Sequence, residues 1–122
     1  MANEAAVERV KVCRFDDIAD GTALLVTAKQ RKIALARIGA EIFALQDSCP
    51  HKGGTLSEGK VHTGRYEVIC PLHFFRFDVR TGASITNPEL VAPTFPVTIS
   101  DGDVYVDITR PAAKTATAEP VA

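Results

Sequence analysis

No stretch of this 122-residue chain approaches the run of about 18 apolar residues that a membrane-spanning helix needs, and no membrane association is expected. The opening residues, MANEAAVERV, hold neither a basic region nor an apolar core of a secretory leader, so the cytoplasm is the expected compartment. Charge of one sign is also missing. The net charge is −1 and the pI about 6.3, which advertises no nucleic-acid partner. Cysteine is scarce: there are three, and only Cys13 lies outside the motifs below, so no disulfide framework is expected within the chain. No G-x-G-x-x-G follows a strand, which leaves no flavin or nicotinamide fingerprint. No window carries a convincing helical stripe, and there is no internal repeat beyond the paired motifs. A chain of 13.1 kDa is one domain with a modest core.

What is present is concentrated in two short segments. Cys49-Pro50-His51 and Cys70-Pro71-Leu72-His73 are C-x-H and C-x-x-H, separated by 18 residues. Four soft or borderline ligands grouped as two mixed pairs point to a metal centre. Ordinary buried thiols would not explain two histidines at matched offsets. A Cys2His2 zinc module is the stronger rival, although zinc sites usually pair cysteine with cysteine and histidine with histidine. Two mixed loops can place both sulfurs on one side and both imidazoles on the other, which suits a two-iron cluster better than one tetrahedral ion. His62 is the one histidine outside the motifs and is expected in an exposed loop.

The rest reads as β structure. Val7–Phe15, Ala23–Thr27, Lys32–Ile38 and Glu41–Gln46 are short runs rich in Val, Ile, Leu and Phe, followed later by Arg65–Ile69, Phe75–Val79, Ala83–Thr86, Pro96–Ser100 and Val104–Ile108. Turn signals stand at Asp20-Gly21, Gly39-Ala40 and Asp101-Gly102, the last two closing hairpins. The pattern predicts an all-β fold, an antiparallel sandwich or small barrel. The end of the chain, RPAAKTATAEPVA, is small, polar and proline-flanked, and residues 110–122 are expected to be a disordered tail.

The stretches CPHKGGTLSEG (49–59) and CPLHFFRFDVRTG (70–82) resemble the two cluster-binding loops of Rieske ferredoxins, above all the electron-carrier ferredoxins of bacterial aromatic-ring-hydroxylating dioxygenases. The resemblance covers about residues 7–109. It implies a Rieske fold over 1–109, an antiparallel sandwich or barrel base with a small inserted cluster-binding subdomain at about 46–82. It implies one Rieske-type [2Fe–2S] cluster per chain, with Cys49 and Cys70 on the inner iron and His51 and His73 on the outer. It implies a carrier, not an enzyme: a monomer that takes electrons from a flavin-containing NAD(P)H reductase and passes them to a terminal oxygenase. The alternative is the Rieske-type small subunit of an assimilatory nitrite reductase. A catalytic mononuclear iron needs two further histidines, and only His62 remains.

Five departures bear on the chemistry. Respiratory Rieske proteins carry two extra loop cysteines where this chain has Gly54 and Leu72, and a serine and a tyrosine where it has Phe75 and Phe77. Fewer donors to sulfur imply a potential at the low end of the family range. Phe74 stands where the family usually has glycine, and is expected either to shield the cluster by folding over Pro71 or to project as a docking anchor flanked by Lys52 and Arg76. Gly53, Gly54 and Gly59 are expected to give the loop backbone unusual φ/ψ and close approach to the cluster. Residues 49–80 carry five cations, Lys52, Lys60, Arg65, Arg76 and Arg80, against three acids, Glu58, Glu67 and Asp78.

Overall fold

The structure, a computed structural model, describes residues 9–48, 55–72, 74–87 and 89–108. Ten strands form in them: β1 (Arg9–Arg14), β2 (Ala23–Ala28), β3 (Arg31–Ile38), β4 (Glu41–Gln46), β5 (Lys60–His62), β6 (Glu67–Ile69), β7 (Arg76–Asp78), β8 (Thr94–Phe95), β9 (Val97–Ser100) and β10 (Asp103–Asp107). They make three antiparallel sheets, ordered β1-β10-β9, β2-β3-β4-β8 and β5-β6-β7. Single 3₁₀ turns at Phe15–Asp17 and Leu56–Glu58 are the helical elements among the described residues.

The four-stranded sheet is the middle layer. β3 is apolar along most of its length because both its faces are covered. Ile33 and Leu35 pack with Val26, Ile42, Phe95, Val104 and Val106 against the β1-β10-β9 sheet. Ala34, Ala36 and Ile38 point the other way, into a second core with Leu45, Leu56, Val68, Cys70 and Phe77. The period-two geometry of a strand makes this division automatic. Val68 and Phe77 sit opposite each other in the small sheet and are fully buried. Burying such a phenylalanine stabilises the contact by roughly 1.5–3 kcal/mol. The small β5-β6-β7 sheet is thereby packed against β3 and β4.

No sheet closes into a barrel among the described residues, which corrects the sandwich-or-barrel expectation to a sandwich of three sheets. The cause lies at the corner. Thr94 and Phe95 pair with β4, and then Pro96 removes a donor N–H and the chain leaves that sheet. The Pro96 carbonyl accepts from the Asp107 N–H at 3.0 Å, so the next residues pair with β10 instead. Among the described residues, β2 is paired only to β3 and β1 only to β10.

Several other boundaries move. Ala83–Thr86 is not a strand; it makes isolated bridges, Phe77 with Ser84 and Ala83 with Val91. Arg65 and Tyr66 belong to a turn, with Tyr66 at φ 57°, and β6 begins at Glu67. The short strands β5 and β8 carry too little apolar pattern to be read from sequence. The β3–β4 hairpin turns at Gly39-Ala40 as expected, with Gly39 at φ 63°. The β9–β10 hairpin likewise turns at Asp101-Gly102, both at positive φ.

Candidate metal centre

Of the four expected ligands, Cys70 is within the described residues; Cys49, His51 and His73 lie outside them, as do Pro50, Lys52, Gly53 and Gly54. What the structure describes is the frame that holds both loops.

Cys70 follows β6 directly and is 1% exposed, packed in the second core beside the fully buried Phe77. Its N–H donates to the Phe75 carbonyl at 2.8 Å, and its own carbonyl accepts from the Phe74 N–H at 2.9 Å. These two bonds close the path from 70 to 75, so the chain doubles back from β6 into β7 within six residues. Pro71 and Leu72 stand at the outside of this turn, with Leu72 half-exposed.

The ends of the first loop are tied by a contact that no motif announced. Asp47 precedes the loop and is buried; its carboxylate accepts from the Ser57 N–H at 2.6 Å and from the Ser57 hydroxyl at 3.1 Å. Charge-assisted bonds of this kind are stronger than neutral ones. The Asp47 N–H in turn donates to the Lys32 carbonyl at 2.9 Å, fixing the entry to β3. Leu56, fully buried, pins the exit.

Gly59 brings the two loop frames together. A Cβ there would lie 1.9 Å from the Ile69 carbonyl oxygen and 3.2 Å from that of Leu56. Its φ is an ordinary −82°, which corrects the expected unusual backbone angle, and the close approach it allows is to the Ile69 carbonyl. Beside it lies a cleft of about 330 Å³ lined by Glu58, Gly59, Lys60, Ile69, Cys70, Pro71 and Phe74.

Phe74 is 73% exposed and adopts φ 61°. A left-handed backbone costs a residue with a Cβ roughly 1–2 kcal/mol. Here the hydrogen bond to the Cys70 carbonyl holds the strained turn, while the ring stays largely in solvent. Phe75 packs against the second core.

His62 ends β5 on the surface, and its Nδ1 accepts from the Arg65 N–H at 3.2 Å, so it serves a turn. Below the site, the Glu67 carboxylate is buried 3.6 Å from Arg76. Cys13, in β1, is half-buried, and burial followed by the nearby Asp17 charge pushes its thiol pKa up. A buried thiol at the base of a closed turn, on the wall of a cleft and beside a second tethered loop, fits a protein-held iron–sulfur cluster. The soft sulfur and borderline nitrogen donors of the two motifs suit iron as well.

The sequence matches the Rieske [2Fe–2S] domain over residues 8–99. It is 39% identical over 101 residues to the ferredoxin component of the p-cumate 2,3-dioxygenase system of Pseudomonas putida, covering 81% of this chain and 85% of that protein. Among solved structures, it is similar to the ferredoxin of carbazole 1,9a-dioxygenase from Nocardioides aromaticivorans IC177, with a TM-score of 0.77 and 28% identity over 80% of this chain and 95% of that one. A chain of the complex of reduced oxygenase and oxidised ferredoxin in carbazole 1,9a-dioxygenase gives a TM-score of 0.74 and 33% identity, covering 81% and 92%. A chain described as the small subunit of an NADPH nitrite reductase gives 0.74 and 27%, covering 81% and 97%.

Proposed function

This chain belongs to the Rieske [2Fe–2S] domain family, and on that premise we propose that it is the one-electron carrier of an aromatic-ring dioxygenase system. The observation that carries the reading is the 39% identity to the p-cumate system's ferredoxin, spread over most of both chains. The chain is an electron-transfer component and not itself a catalyst. Its partners are a flavin-containing NAD(P)H reductase and a terminal oxygenase, between which it works as a monomer. The carrier domain spans 1–109, with the cluster-binding unit at about 46–82.

The chain's residues divide the work. Cys49 and Cys70 would hold one iron and His51 and His73 the other. Bound there, the cluster supplies reversible one-electron exchange. Asp47 and Ser57 tie together the two ends of the segment that carries Cys49 and His51. Gly59 lets that loop's exit lie against Ile69, next to Cys70. The Cys70–Phe75 and Phe74–Cys70 hydrogen bonds shape the second loop. Phe77, Val68 and Leu56 exclude water from the Cys70 side.

The similarity to a nitrite reductase small subunit favours a second reading, in which the acceptor is a nitrite-reducing catalytic subunit. One experiment separates the two. The chemically reduced protein is mixed with dioxygenase terminal oxygenases of the p-cumate and carbazole types, and separately with a nitrite reductase catalytic subunit, and its visible spectrum is followed. Reoxidation by an oxygenase, faster than by the nitrite enzyme, is expected. The opposite order supports the second reading.

A further inference from the structure

We infer that Phe74 is the residue through which this carrier recognises its terminal oxygenase, held in a strained backbone for that purpose. The inference rests on the carrier reading above. Three observations carry it. Phe74 occupies the left-handed region at φ 61°, where glycine is the unstrained choice. The residue is 73% exposed, so packing within the chain does little to offset the strain. Its N–H is bonded to the carbonyl of Cys70, a proposed cluster ligand, so the ring projects from the turn that an electron must leave. Backbone strain that the molecule's own packing does not repay marks a functional position.

The surroundings fit an oxygenase surface. Leu72, 52% exposed, extends the apolar tip. Exposed Lys60 and Glu58 line the cleft beside Phe74 and balance in charge, so the complementary surface is an apolar hollow with a polar rim. A relative of 33% identity comes from a complex with its oxygenase, which favours that partner over the reductase. The exposure of the residue favours the anchor expectation for Phe74 over the shield.

The test uses the full-length, cluster-loaded protein as wild type, Phe74→Gly and Phe74→Ala. Glycine removes both ring and strain; alanine removes the ring alone. The visible spectrum, the thermal midpoint, the rate of oxidation by ferricyanide and the apparent Kd for an oxygenase that wild type reduces are compared. Both variants are expected to keep the spectrum and to react with ferricyanide within about twofold of wild type, while their Kd for the oxygenase rises about tenfold or more. Phe74→Gly is expected to melt at or above wild type, and above Phe74→Ala. An unchanged Kd overturns the inference alone. Loss or shift of the cluster spectrum in both variants overturns it in favour of the shield. A wild-type protein oxidised by ferricyanide but by no oxygenase overturns the carrier reading and this inference together.

Discussion

Asp78 shows how single charges hold the β5-β6-β7 sheet to its base. Its carboxylate bonds the Arg80 guanidinium at 2.8 and 3.1 Å, and that guanidinium lies over the Tyr66 ring, 4.6 Å from its centre. Tyr66 in turn meets Phe43 edge-on at 5.8 Å and donates its hydroxyl to Glu41 at 3.2 Å, both residues of β4. Burial pushes the Asp78 carboxyl up, but the side-chain and backbone hydrogen bonds and the charge of Arg80, with the Thr81 N–H, outweigh it and hold it below the ordinary 3.8. A carboxyl lowered on folding adds stability above its unfolded pKa and loses it as pH falls through the folded value. Arg80 is exposed and solvent screens the pair, so its contribution is small. Asp78→Asn is expected to be slightly less stable than wild type at pH 7, with the difference vanishing as pH drops below about 3.8. Denaturant midpoints across that range check it; a difference that persists in acid contradicts the ion-pair account. At this scale the sequence was legible only where chemistry is local. Cys49-x-His51 and Cys70-x-x-His73 announce a metal, whereas Asp47 and Ser57 meet ten residues apart through a side chain and leave no pattern.

Elements were legible where hydrophobic runs met turn residues. β3 and β4 emerged with the Gly39-Ala40 turn because glycine supplies the positive φ that such a hairpin needs. The β2–β3 turn gave no such sign. Lys29 and Gln30 both take positive φ, at 48° and 74°, without a glycine or asparagine between them. The barrel expectation failed because pattern reports which strands exist, not which edges meet; the Pro96 corner decides that. The 55–59 segment lies against Ile69 at Gly59. Gly59→Ala forces a Cβ into a backbone carbonyl and is expected to destabilise the protein by roughly 1–3 kcal/mol and to lower its cluster content. Gly64→Ala is the control: its Cβ would touch only the His62 ring, at 3.4 Å, and near-wild-type behaviour is expected. Iron content per chain and thermal midpoints of the two variants measure the difference. Equal behaviour would remove Gly59 from the account.

Across the whole molecule, three sheets share two apolar cores, and the middle sheet serves both. The β5-β6-β7 sheet is therefore joined to the base through a core that includes Phe77 and Leu45, with the Tyr66–Arg80 contact beside it. No helix among the described residues is long and apolar enough to cross a membrane. The central claim is that this frame holds a low-potential two-iron cluster for one-electron traffic. The side chains where respiratory relatives place hydroxyl donors are Phe75, partly buried, and Phe77, fully buried, and neither carries a donor to sulfur. The most direct test is a redox titration of the anaerobically purified protein followed by EPR, with iron and sulfide determined on the same sample. The account predicts two irons and two acid-labile sulfides per chain, and a signal with average g below the free-electron value. That signal should appear in a single one-electron step near −150 mV, on the order of the low end of the Rieske range. One zinc per chain without visible absorption, or a midpoint above zero, would contradict it.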